Sequence, residues 1–347
     1  MVFSSFASAA APSGSKISKA NKATAAAVKA NTLKKLPKSV KVKNTEKNYK
    51  KSDKVRVIVE VDGDPAITYA TKQGKKYSDL SKSVKAQLQN KIQNEQQAVK
   101  SQFEKKAIKM QYKQTFTTTF NGFSGIVEYG QITEIKTVDG VANVSVATEY
   151  QRPEIEPNMK YSKEIVEAQK AWDAYGKKGE GMVVGIIDTG IDPSHKDFIL
   201  TDGSKAALTK AEVDAAVAEK GLLGKFYTEK VPYGYNYYDE NAQILDLGPE
   251  ASMHGMHVAG TVAANGDEAN GGIKGVAPEA QVLALKIFGN DPEMPSTWGD
   301  IEIKAIDDAI KLGADVINMS LGSTAGFVQP NAPEQEAVQR AVDNGVL

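Results

Sequence analysis

Val183-Val184-Gly185-Ile186-Ile187-Asp188-Thr189-Gly190 is the stretch on which the reading of this chain turns. Val183 to Ile187 form a short, apolar, β-branched run bounded by glycines, the pattern of a strand buried on both faces of a parallel sheet. Asp188 then falls at the carboxyl end of that strand, where open α/β sheets present their functional groups. A carboxylate there can hold an imidazole in one tautomer during acyl transfer. The same Asp-Thr-Gly can also simply cap a turn. Working outward, helix and strand patterns alternate: helix 163–175, strand 182–187, helix 254–264, strand 282–287, helix 300–312, strand 314–319 and helix 333–344. That alternation predicts an α/β fold with a doubly wound, mostly parallel sheet. Gly179, Gly181 and Gly185 precede a strand instead of linking strand to helix, so they do not make a dinucleotide loop.

Histidine is scarce: His195, His254 and His257 are the three in 347 residues. The segment His254-Gly255-Met256-His257-Val258-Ala259-Gly260-Thr261 has helix spacing and small residues suited to close packing, with His254 in the first turn, facing a cleft. Two histidines three apart raise the possibility of a shared metal ion. The chain has no Cys and no His-Glu-x-x-His pattern, and both facts weigh against it.

Upstream, Val55, Val57, Val59 and Val61 alternate as one face of a strand. Ser78 is positioned to cap a long helix striped by Leu80, Val84, Leu88, Ile92, Val99 and Phe103. Strand-like runs follow at 115–120 and 122–129 around an Asn121-Gly122 turn, then a short helix at 131–138 and a strand at 141–148. The order β-α-β-β-α-β describes an α+β, ferredoxin-like module, a split βαβ unit.

Charge is unevenly spread. Residues 1–150 hold 26 Lys and Arg against 12 Asp and Glu, while residues 151–347 hold 17 against 31, so a net +14 faces a net −14. Opposite charge speeds docking of two halves at low salt. The lysines lack interleaved aromatics, which points to solvated surface and away from nucleic acid. Residues 1–50 are rich in Ala, Lys and Ser and predict disorder. Their first nine residues end in the small-x-small pattern of a signal-peptidase site, as a signal-peptide remnant would. No stretch reaches 18 consecutive apolar residues, so no membrane span is expected. Zero cysteines exclude disulfides.

Asp188-Thr189-Gly190-Ile191-Asp192, His254-Gly255-x-His257-Val258-Ala259-Gly260-Thr261, Gly275-Val276-Ala277-Pro278 and Asn318-Met319-Ser320-Leu321-Gly322 stand in the order found in subtilisins. Over residues 160–347 the chain resembles the subtilisin-like serine proteases, the larger lactocepin and minor extracellular protease types in particular. The resemblance implies a secreted or cell-envelope endopeptidase precursor acting on polypeptides. It makes Asp188 the triad aspartate, His254 the general base, and Ser320, Leu321 and Gly322 a strand edge that pairs with substrate. Met256 stands where the family usually has threonine. The family's Gly-Thr-Ser segment and oxyanion asparagine are not found in residues 1–347, and no Gly-x-Ser-x-Gly elbow replaces them. The expectation is therefore the amino-terminal portion of a protease, inactive alone. The resemblance also makes residues 51–155 an inhibitory prodomain, 156–347 the catalytic domain and 1–50 a leader and linker. Its chemistry needs no cofactor, and Asp197 beside the 266–275 loop marks a possible calcium site. Two other readings remain: a non-catalytic protein that caps a protease with its prodomain, and a metal-dependent hydrolase using the two histidines.

Overall fold

The computed structural model describes residues 48–153, 162–248, 251–291, 296–322 and 332–347. Residues 1–47 of the expected leader and linker, and the junction near 155, lie outside them. Contacts divide the chain into Met1–Asn48 and Tyr49–Leu347, and every described element belongs to the second unit.

Its amino-terminal module runs β1 (Lys54–Val61), α1 (Ala66–Lys72), α2 (Lys82–Lys105), β2 (Gln111–Phe116), β3 (Gly122–Glu128), α3 (Ile132–Ile135), β4 (Val141–Val146). The strands form an antiparallel sheet in the order β2-β3-β1-β4. The alternating valines of β1 all face one side, against Val99 and Phe103 of α2. Three local expectations change, and one helix is new. The cap of α2 is Ser81, whose hydroxyl accepts the Val84 N–H at 3.3 Å, and not Ser78, because a 3₁₀ turn at Tyr77–Asp79 intervenes. The strand expected at 115–120 begins and ends earlier, since Thr117 to Thr119 turn their amides elsewhere. The helix expected at 131–138 shrinks to α3 behind a 3₁₀ turn at Tyr129–Gln131. Helix α1 gave no periodic signal; its first amides are held by the carbonyls of Thr117 and Thr118 instead of by a side-chain cap.

A short strand, β5 (Glu149–Gln151), leaves the module. The second half then runs α4 (Ser162–Ile165), α5 (Ala168–Tyr175), β6 (Val183–Asp188), α6 (Lys210–Lys220), β7 (Tyr233–Asn236), α7 (His254–Ala263), β8 (Gln281–Lys286), β9 (Ser296–Trp298), α8 (Gly299–Lys311), β10 (Val316–Asn318), α9 (Pro333–Asp343). The helix expected at 163–175 breaks into α4 and α5 where Glu167 takes a φ of 58°. The strand expected at 314–319 is confined to β10. Strands β10-β6-β8-β7 form an all-parallel sheet. Val184, Ile186, Val282 and Ala284 face Ala259 and Ala263 of α7. Val183, Ile187, Leu283 and Leu285 face Ile306, Ala309 and Ile310 of α8 on the other side. Helices on both faces explain why β6 reads as a continuous apolar run.

The two halves share a core. Ile58, Phe116 and Phe120 of the module pack in one cluster with Ile301, Ile303 and Ala337 of α8 and α9. Polar contacts reinforce that junction. The buried Asp307 carboxylate accepts the N–H groups of Thr117, Thr118 and Thr119 at 2.8, 2.9 and 2.6 Å and the Thr119 hydroxyl at 2.5 Å. Arg56 pairs with Asp300 at 2.7 Å, and Ser124 donates to the same carboxylate.

Candidate active site

Strand β6 carries Asp188 to the carboxyl end of the parallel sheet, where it is 1% exposed. Helix α7 begins at His254, 3% exposed, directly above it. The Nδ1 of His254 lies 2.7 Å from Asp188 Oδ1, which also accepts the Thr189 N–H at 2.6 Å. A carboxylate is acceptor-only, so this pairing assigns the hydrogen to Nδ1 and leaves Nε2 as the basic nitrogen. The other oxygen, Asp188 Oδ2, is buried with no hydrogen-bond partner among the described residues.

The close approach of α7 to β6 depends on Gly255. A Cβ there would stand 2.5 Å from the Gly190 carbonyl oxygen and 2.8 Å from its nitrogen. The Gly255 N–H donates to the Thr189 hydroxyl at 3.0 Å. Asp-Thr-Gly is thus a socket for the start of α7, more than a turn cap. Met256, where the family usually has threonine, receives the Asp192 N–H on its sulfur at 3.3 Å.

Lys286 adds a group that sequence reasoning passed over. It is the register partner of Asp188, fully buried, and its ammonium donates to the Thr189 carbonyl. Burial pushes its pKa down to about 8, opposed by Asp246. A lysine closing the apolar run 282–285 was the available signal.

Ser320, Leu321 and Gly322 continue beyond β10, whose Asn318 is level with Ile186, so they leave the sheet at the same end as Asp188. The Ser320 hydroxyl donates to Asn318 Oδ1 at 2.9 Å. A second edge was not foreseen: β9, too short and polar to register as a strand. It pairs antiparallel with β5, placing Glu149, Tyr150 and Gln151 opposite Trp298, Thr297 and Ser296. Beyond β5, Arg152 pairs with Asp246 at 2.7 Å and stacks on Phe288, and the Pro153 carbonyl accepts the Ser252 hydroxyl at 3.4 Å. The extended segment therefore runs from the module to a residue only two positions from His254.

His257 stands three residues on, its pKa lowered by burial and then by His254. Among the described residues no group of three His, Asp or Glu is disposed to hold a metal. Asp197 uses its carboxylate to accept the Ile273 N–H at 3.1 Å and its carbonyl to accept the Asn265 N–H at 2.7 Å. Those two contacts clip the 266–275 loop to Asp197.

No helix among the described residues is long and apolar enough to cross a membrane. The model of the Peptidase S8, or subtilase, family matches residues 179–347. The chain is 38% identical over 294 residues to a PII-type proteinase of Lacticaseibacillus paracasei, covering 84% of this chain and 15% of that protein. It is 30% identical over 251 residues to the minor extracellular protease Vpr of Bacillus subtilis, covering 67% and 26%. The chain thus spans about 15% of the length of the PII-type proteinase it matches. Among solved structures, the epidermin leader peptide processing serine protease of Staphylococcus aureus aligns over 85% of this chain and 57% of its own, at 18% identity and a TM-score of 0.48. A doubly wound parallel sheet, a buried Asp–His pair at its carboxyl end and the sequence similarities together identify residues 179–347 as a segment of the subtilase family of serine peptidases.

Proposed function

We propose that this chain is the front portion of an exported serine endopeptidase precursor. In it, Asp188 and His254 are two members of an Asp-His-Ser triad, with the serine and the oxyanion asparagine supplied from outside residues 1–347. His254 Nε2 takes the nucleophile's proton, and Asp188 holds the ring and stabilises the imidazolium that forms. The observation that carries this reading is the 2.7 Å contact of His254 Nδ1 with a buried carboxylate at the carboxyl end of the parallel sheet.

Residues 51–155 act as an inhibitory prodomain of ferredoxin-like topology. Support comes from β5, which occupies the β9 edge by strand addition, the mode by which an extended polypeptide substrate would bind. Ser320 to Gly322 form the opposing edge. Export is in keeping with the extracellular relative Vpr.

The test compares residues 1–347 with a longer protein that continues into a Gly-Thr-Ser segment. The short chain should neither hydrolyse peptides nor take label from a serine-directed fluorophosphonate, and the longer one should do both, losing hydrolysis on His254→Ala. Stoichiometric labelling of the 347-residue chain would overturn the division of the triad. An inert longer protein would favour a non-catalytic capping role.

A further inference from the structure

Behind β9 lie two acidic side chains that the Asp–His chemistry does not use. Glu302 of α8 is 5% exposed and Glu334 of α9 is 3% exposed. Glu302 Oε2 and Glu334 Oε1 are both buried without a hydrogen-bond partner among the described residues. Buried acceptors without donors are costly, so two of them side by side call for a physical reason. Here the phenol of Tyr150, projecting from β5, interacts with the Glu302 carboxyl. Room for the acids is made by Gly299 at the start of α8: a Cβ there would collide with the Glu334 carboxyl. The titratable groups that face Glu302 are Glu334 from α9 and Tyr150 from β5.

Tyr150 belongs to the segment that fills the β9 edge, paired with Thr297. When that segment leaves, the two carboxyl groups face whatever residue of a bound polypeptide lies opposite Thr297. We infer that Glu302 and Glu334 form a specificity pocket for that residue, selecting side chains tipped with a hydrogen-bond donor or a cation, namely Tyr, Lys and Arg, over Phe and Leu. This rests on the peptidase reading and names the substrate feature it recognises. The physical reason is an asymmetry: a site built to pair with a donor rejects the analogue that lacks one, because its own buried polar groups are then left alone. A lysine or arginine also brings the opposite charge, which relieves the repulsion between the acids. Burial, then Glu334, raise the Glu302 pKa to about 8. With Tyr150 in place Glu302 therefore carries its proton at neutral pH, and the advantage of Lys over Tyr grows as pH rises toward that value and levels off above it.

Two experiments test the pocket and its use separately. In the 347-residue chain, Tyr150→Lys should leave the melting temperature at pH 8.5 nearly unchanged. In the isosteric background Glu302→Gln, Glu334→Gln the same change should lower it clearly, because the cation has lost its partners. An equal cost in both backgrounds would overturn the pocket. In a full-length active protein freed of its amino-terminal module, peptides copying residues 147–153 with position 150 varied serve as competitive inhibitors. Those with Tyr, Lys or Arg should bind at least about tenfold more tightly than those with Phe or Leu. The two glutamine substitutions should erase the Lys and Arg preference. Equal inhibition, or a preference for Leu, would overturn the specificity assignment. If the melting experiment shows coupling while the full-length protein cleaves no peptide, the peptidase reading fails and the acids are only a clasp for Tyr150.

Discussion

At the scale of single residues, the Asp188–His254 contact makes a sharp demand on both partners. Asp188→Asn would offer an amide where His254 needs an acceptor and would favour the wrong imidazole tautomer. In an active full-length protein kcat should fall by about ten-thousandfold with KM little changed, as read from steady-state kinetics. Gly255 is as constrained by space as Asp188 is by charge. Gly255→Ala would push a Cβ into the Gly190 backbone and part α7 from β6. The expected cost is about 1–3 kcal/mol of stability, measured by chemical denaturation. A fully stable variant would mean that α7 and β6 have room to spare. Sequence reading reached Asp188 and His254 because two short motifs place them. It passed over Lys286, Glu302 and Glu334 because a single charged residue in a strand or helix pattern carries no sign that folding will bury it.

At the scale of elements, the junction of the two halves turns on the loop between β2 and β3. Thr115 to Phe120 looks like a strand because its threonines and phenylalanines favour one. The fold instead takes the amides of Thr117 to Thr119 out of the ladder and gives them to Asp307, while the carbonyls of Thr117 and Thr118 hold the start of α1. Asp307→Ala would leave three buried N–H groups without acceptors, a loss of at least about 3 kcal/mol. Hydrogen exchange should then show the amides of 117–119 opening well before the strand amides of β1 and β3. Protection equal to that of the parent chain would sink this account of the junction. Ser78 and Ser81 teach a related lesson: both are good caps in sequence, and the 3₁₀ turn beside them decides which one is used.

For the whole molecule, pH is the lever on the buried acid pair. Glu302 has a folded-state pKa raised to about 8 from an ordinary value of 4.5, by burial and by Glu334. A raised pKa means the folded state holds the proton more tightly, so this stability is fully present below about pH 4.5 and is lost as pH rises through about 8. Thermal melts of the 347-residue chain should therefore decline across that window, and Glu302→Gln should flatten the decline. A pH profile identical in the two proteins would show that Glu302 does not set it. Charge steering between the halves has a narrower base than the totals suggest. Ten lysines and one glutamate of the basic half fall in residues 1–47, outside the described residues. Among the described residues, Arg56–Asp300 and Arg340–Glu60 join the halves with little exposure, whereas Lys76–Asp315 and Lys82–Glu219 lie toward solvent, where salt screens them.

By itself the sequence determined the parallel sheet and the position of the Asp–His pair. It also determined the order of the amino-terminal module apart from α1, because each of these is written in local periodicity or in a short motif whose spacing has few alternatives. The valines of β1 and the apolar run of β6 announce one buried face and two. Only the tertiary structure decided how the halves join, that Glu149–Gln151 lies on β9, and that two acids wait behind it. Those features depend on residues more than a hundred positions apart meeting across a core. Strand addition uses backbone groups that every residue carries, so no side-chain pattern could announce it.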